Sequence, residues 1–96
     1  MSAPATDVAF DADQAWVLNS SVALRPEPFG ALLYHFGTRK LSFLKNLTVV
    51  EVVQSLPDHP SANDALAAAG ITDTDRPLYL NALAALAASG MIVQPS

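Results

Sequence analysis

The apolar residues change their spacing at Lys45, and that change sets what the chain can fold into. Upstream, GALLYHF and RKLSFLK flank a Gly37-Thr38 pair, two strand-like runs joined by a short turn. Downstream, Val49, Val52, Val53 and Leu56 fall at i, i+3, i+4 and i+7, the spacing of one helix face. A chain of 96 residues has room for one core built from both kinds of element. Its hydrophobic content of 51% with 15% charged residues fits an ordered globular chain.

A type II′ turn at Gly37-Thr38 sets the hairpin register: Phe36 faces Arg39, Tyr34 faces Leu41 and Leu32 faces Phe43. Those six side chains share one face, expected to be the core face, while Leu33, His35, Lys40 and Ser42 share the other. Ahead of the hairpin, Trp16, Leu18, Val22 and Leu24 sit at even positions, with an interruption at Asn19-Ser20-Ser21. The first sheet strand is expected over Val22 to Arg25, closed by Pro26-Glu27-Pro28, whose prolines cannot donate to a ladder.

Three helices should follow. Thr48 and Glu51 suit a capping box for the first, which Pro57 stops. Ser61 to Asp64 can cap the second, and Gly70 supplies its left-handed end. Asp73 or Asp75 can cap the third, with Pro77 in its first turn, an apolar stripe of Leu80, Leu83, Leu86 and Ala87, and Gly90 at its end. Met91-Ile92-Val93 is long enough for a terminal strand or a packed tail. The expected fold is α+β and winged-helix-like, a three-stranded antiparallel sheet followed by three helices packed on one of its faces. Residues 1–15 read as a mostly flexible segment, in which Met1 to Thr6 are small and polar and Phe10 can anchor beside Trp16. Residues 16–96 form the single domain.

Most chemistry is excluded by residue type. Without cysteine there is no disulfide, thiolate nucleophile or cysteine-held cluster. His35 and His59 stand apart from other ligands and read as solvated imidazoles, and Asp11-Ala12-Asp13 reads as an exposed acidic turn, since no glycine and distal glutamate follow. No G-x-S-x-G elbow or glycine-rich phosphate loop is present. We therefore expect no metal, no cofactor and no enzymatic activity. The N-terminus has no signal-peptide pattern and no apolar run reaches spanning length, so a cytoplasmic chain without a membrane partner is expected. A net charge of -4 and a third helix with one arginine at its start argue against nucleic acid.

What remains is the strand from Arg39 to Lys45, which at the border of a three-stranded sheet can accept a further strand from another chain. Edge logic alone leaves open an ordinary border guarded by Lys40 and Lys45. The run VALRPEPFGALLYHFGTRKLSFLK closely resembles the signature block of the mycofactocin biosynthesis peptide chaperones, a group within the recognition elements for ribosomally made, post-translationally modified peptides. The likeness continues at Ala15-Trp16-Val17-Leu18, Asp58-His59-Pro60-Ser61 and Leu83-Ala84-Ala85-Leu86. It implies three antiparallel strands followed by three helices. It also implies a non-catalytic peptide chaperone that binds a precursor peptide's leader, which in such systems is acidic, and presents the peptide to a radical S-adenosylmethionine (SAM) maturase. The implied peptide site, a cleft between the third strand and the third helix, falls on Arg39, Lys40, Leu41, Ser42, Phe43, Leu44 and Lys45 and on the stretch from Tyr79 to Ala87. Periodicity selects Tyr79, Leu80, Leu83 and Ala87 from that stretch. The alternative function is a winged-helix regulator that binds DNA, disfavoured by charge; a small acid-base enzyme lacks any constellation of groups.

Overall fold

The computed structural model describes residues 10–95. Strands β2 (Val22–Glu27), β3 (Gly30–His35) and β4 (Leu41–Leu44) form an antiparallel sheet in the order β2-β3-β4. A second, two-stranded sheet joins β1 (Val17–Leu18) to β5 (Ile92–Val93), so the segment Met91 to Val93 does end in a strand. Between the sheets in sequence lie α1 (Leu47–Ser55), a 3-10 turn (Leu56–Asp58), α2 (Ala62–Ala68) and α3 (Arg76–Ala88). The expected α+β architecture of antiparallel strands and three helices is therefore observed.

The expected hairpin register is found, with Tyr34 beside Leu41 and Leu32 beside Phe43. The turn that produces it differs. His35 N–H donates to the Lys40 carbonyl at 3.0 Å and Arg39 N–H to the His35 carbonyl at 2.7 Å, which closes a four-residue loop, Phe36 to Arg39. The left-handed residue is Arg39, at φ 63°, rather than Gly37. The imidazole selects this loop: its Nδ1 accepts from the Gly37 N–H at 3.0 Å and the Thr38 N–H at 3.2 Å, satisfying two donors that a tight II′ turn would arrange differently. His35 is thus buried, at 8% exposure, and not a solvated imidazole.

The face assignment is reversed. Ala31, Leu33, His35 and Leu44 are buried against the helices, whereas Phe36, Arg39, Leu41 and Phe43 are exposed and Leu32 and Tyr34 half-buried on the outer side. Arg25 lies beside Leu32 in the ladder, and that row could enter a core only by burying a guanidinium that is instead exposed and paired with half-buried Glu27 at 3.1 Å. Ala31, small and fully buried, leaves room for α1 to approach β3.

β2 also runs two residues past its expected end, through Pro26. Phe36 N–H donates to the Ser21 carbonyl at 2.8 Å, so the alternation directs residues 23, 25 and 27 toward β3. Pro26 then falls where its missing N–H faces away from the ladder, the one place in a strand where proline costs little. Gly30, at the start of β3, crosses β4 so closely that an added Cβ would collide with the Leu44 carbonyl oxygen.

Asn46 rather than Thr48 caps α1, its Oδ1 accepting from Thr48 N–H at 2.7 Å and Val49 N–H at 3.2 Å. Val52, Val53 and Leu56 are buried as the spacing requires. Ser61 caps α2 and Gly70, at φ 77°, follows it. α3 begins after Asp75 with Pro77 in its first turn, buries Leu83 and Leu86, and is followed by Gly90 at φ 78°. Phe10 stacks on Trp16 with ring centroids 4.9 Å apart, and the carbonyls of Ala12 and Gln14 accept from the backbone of Asn63 and Ala62. Residues 10–15 are thereby tied to the start of α2, while the lead-in Met1 to Thr6 lies outside the described residues.

Candidate functional site

A three-stranded sheet has two borders, and the hydrogen-bond alternation makes them unequal. On β4 the bond from His35 N–H to the Lys40 carbonyl directs residues 40, 42 and 44 toward β3, so the N–H and C=O of Leu41 and Phe43 point away from it. Among the described residues they meet no partner. On β2 the outward positions are Val22, whose N–H is spent on the Asn19 carbonyl at 2.9 Å, Leu24, and Pro26, which has no N–H. Of the two borders of this sheet, among the described residues, β4 is the one that offers two alternate free donors to an incoming strand.

Beyond the end of β4 a groove of about 330 Å³ opens between the first turns of α1 and α3, lined by Asn46, Val49, Asp75, Leu78 and Tyr79. Its walls are apolar at the helix starts and polar at Asn46 and Asp75. Leu78 on the wall and Leu47 next to Asn46 are exposed. The capping bond of Asn46 sets the angle at which α1 leaves β4, and so positions Val49 opposite Tyr79.

The residues expected at a cleft separate into groups. Leu41 and Phe43 give the outward backbone groups; Ser42 and Leu44 bond inward, with Leu44 buried. Arg39, Lys40 and Lys45 are exposed around the strand, in a position to bring positive charge to its border. Tyr79 lines the groove. Leu80 and Ala87 are half-buried against the core, and Leu83, at 1% exposure, lies within it, where it supports α3 from beneath. Asn46, Asp75 and Leu78 are groove residues that helical periodicity did not select, since caps and an exposed first-turn residue carry no periodic signal, and half-buried Val49 stood in the α1 stripe as a packing residue only. The groove lies at the helix starts, whereas the stripe of α3 marks its packed side.

At the opposite end of the sheet His35 and Asn19 bring three turns side by side. Besides holding the hairpin loop through Nδ1, His35 sits 3.4 Å from the Nδ2 of Asn19, which donates to the Gly90 carbonyl at 2.9 Å while its Oδ1 accepts from Ser21 N–H at 2.8 Å. Asn19 thereby ties the β1–β2 and α3–β5 connections together, and the His35 ring of the β3–β4 connection packs beside its amide. A smaller pocket, about 190 Å³, is formed by Glu51, Ser55, His59, Ala68 and Ala69. Among the described residues no His, Cys, Asp and Glu side chains group as a metal site, and no helix is long and apolar enough to cross a membrane. The exposed residues of α3 are Pro77, Leu78, Asn81, Ala85 and Ala88, a face without a cation for phosphate.

The family model for the peptide chaperone MftB family matches residues 15–93, which takes in both sheets, all three helices and the groove. The chain belongs to that family. A peptide chaperone MftB of Mycolicibacterium smegmatis is 63% identical over 89 residues, covering 93% of this chain and 87% of the relative. Those of Mycobacterium ulcerans and Mycobacterium tuberculosis are 61% identical over 85 residues and 60% over 84, each across 88% of this chain and 78% and 77% of the relative. No solved structure gives a significant match. The family implied by the hairpin block is thus the one to which the chain belongs, and the MftB fold is the frame in which the β4 border and its groove are placed.

Proposed function

We propose that this MftB family member binds the leader of a ribosomally made precursor peptide as a fourth strand along β4, and presents the peptide to a radical SAM maturase in mycofactocin biosynthesis. The observation that carries the reading is the asymmetry of the two borders: β4 directs the free backbone groups of Leu41 and Phe43 outward, whereas Pro26 blocks β2. Backbone bonds supply affinity and side-chain pockets supply choice in this mode of recognition. The groove formed by Val49, Leu78 and Tyr79 receives an apolar side chain of the leader, and Arg39, Lys40 and Lys45 orient its acidic residues. Leu80, Leu83 and Ala87 pack α3 onto the core, which holds its first turn, with Leu78 and Tyr79, in place.

The test uses proline at two neighbouring positions. Leu41→Pro removes a donor that faces outward and leaves the ladder to β3 intact, so the fold should persist while leader affinity falls about tenfold or more. Ser42→Pro removes a donor that faces β3 and should destabilise the sheet itself, visible by circular dichroism. Leu41→Val, which keeps the N–H, should bind nearly as the parent does. Unchanged leader affinity in a folded Leu41→Pro protein would remove strand addition from the account.

A further inference from the structure

Among the described residues nothing covers the outer face of the sheet. Leu32, Tyr34, Leu41 and Phe43 stand on it, flanked by Phe29 and Phe36, and Phe36 and Phe43 are 59% and 57% exposed. The aromatics associate with one another: Phe29 and Phe43 have centroids 6.4 Å apart, and Tyr34 meets Phe36 edge-on at 5.3 Å. Single exposed apolar residues are ordinary, but a contiguous cluster across β3, β4 and the turns at both ends of β3 marks a contact surface.

The charges say what kind of surface fits it. The segment from Val22 to Lys45 carries four of the five cations and one carboxylate, while the remainder carries one cation and eight carboxylates. Arg25 lies on the aromatic face, beside Leu32 in the ladder, and Arg39 and Lys40 border it at the hairpin tip. A second copy stacked face to face would bring these cations against one another. We infer that the outer face of the β2–β3–β4 sheet is a docking surface for a folded protein whose contact patch is apolar and ringed by carboxylates. It adjoins the β4 border, so peptide and protein are held by one sheet, the peptide at its edge and the protein on its face. The inference rests on the reading above, in which the maturase is that protein.

Two variants on the face, both away from β4, separate the possibilities. Phe29→Ser with Phe36→Ser removes aromatic contact, and Arg25→Glu reverses charge. Purified cognate maturase and leader peptide are each titrated against the parent and both variants, with sedimentation of every chain alone and flotation with vesicles containing anionic phospholipid. The expected result is a loss of maturase affinity of about tenfold or more in the aromatic variant, with leader affinity retained. Arg25→Glu should lower the association rate and its salt sensitivity, which keeps the question answerable if the aromatic variant folds poorly. Undiminished maturase binding by both variants overturns the inference while leaving peptide recognition standing. A parent that binds leader but not maturase overturns both the inference and presentation to that enzyme; a parent that binds no leader overturns the functional reading itself. Self-association or vesicle binding that the variants abolish, with maturase binding unchanged, reassigns the face to a second copy or to lipid and overturns the inference as well.

Discussion

Two residues that look unremarkable in sequence fix the site. Gly30 is needed because β3 crosses β4 with no room for a Cβ, and Gly30→Ala must push the Leu44 backbone away. The expected cost is about 3 kcal/mol or more, read from urea unfolding, together with weaker leader binding as β4 moves. His35 holds two loop N–H groups on its Nδ1. His35→Leu preserves the apolar packing but leaves those exposed-loop donors to water, at a cost of about 1 kcal/mol, and should raise amide exchange at Gly37 and Thr38 before it affects the rest of the sheet. The sequence offered only a solitary histidine in a strand, and the pairing that defines its role arises from a loop conformation that becomes visible once Arg39 takes its left-handed backbone. Asn46 escaped notice for a related reason: Thr48 with Glu51 matched a capping pattern, but the helix starts one residue after Asn46.

At the scale of elements, register was legible and facing was not. The Tyr34–Leu41 and Leu32–Phe43 pairs follow from the length of the connection, because a two-residue loop and the observed four-residue loop centre the strands identically. Both sides of the hairpin are apolar, so size pointed the wrong way: the larger aromatics lie outside, and Ala31, Leu33 and Leu44 lie inside. The signal that could have decided it was Arg25, which shares a face with Leu32 and has no buried acid to meet. The helices were readable from spacing, caps and glycines, whereas the groove between the starts of α1 and α3 depends on tertiary placement that periodicity does not encode. The cations around β4 belong to this scale too. Replacing Lys40 and Lys45 together with Ser should flatten the salt dependence of the leader association rate and leave binding measurable, as exposed charges at a rim steer encounter more than they hold the complex. Stopped-flow rates across a salt series measure it; an unchanged salt slope with increased light scattering would make the lysines guards against self-pairing instead.

Over the whole molecule, one small core supports two distinct surfaces. The family match runs through residues 15–93, and the ladder parity set by His35 and Lys40 decides which backbone groups of β4 are left for a partner. Positive charge is gathered on the sheet and negative charge elsewhere, so the sheet side of a chain whose net charge is -4 is the side that would attract the acidic leader of the proposal. The most direct measurement is a titration of isotopically labelled chain with the cognate leader, following backbone amide shifts and hydrogen exchange residue by residue. Strand addition predicts new protection at the Leu41 and Phe43 amides, none gained at Ser42, and side-chain shifts at Val49 and Tyr79. Saturating leader that leaves Leu41 and Phe43 exchanging as before, with the largest changes at Leu24 or around His59, would contradict it.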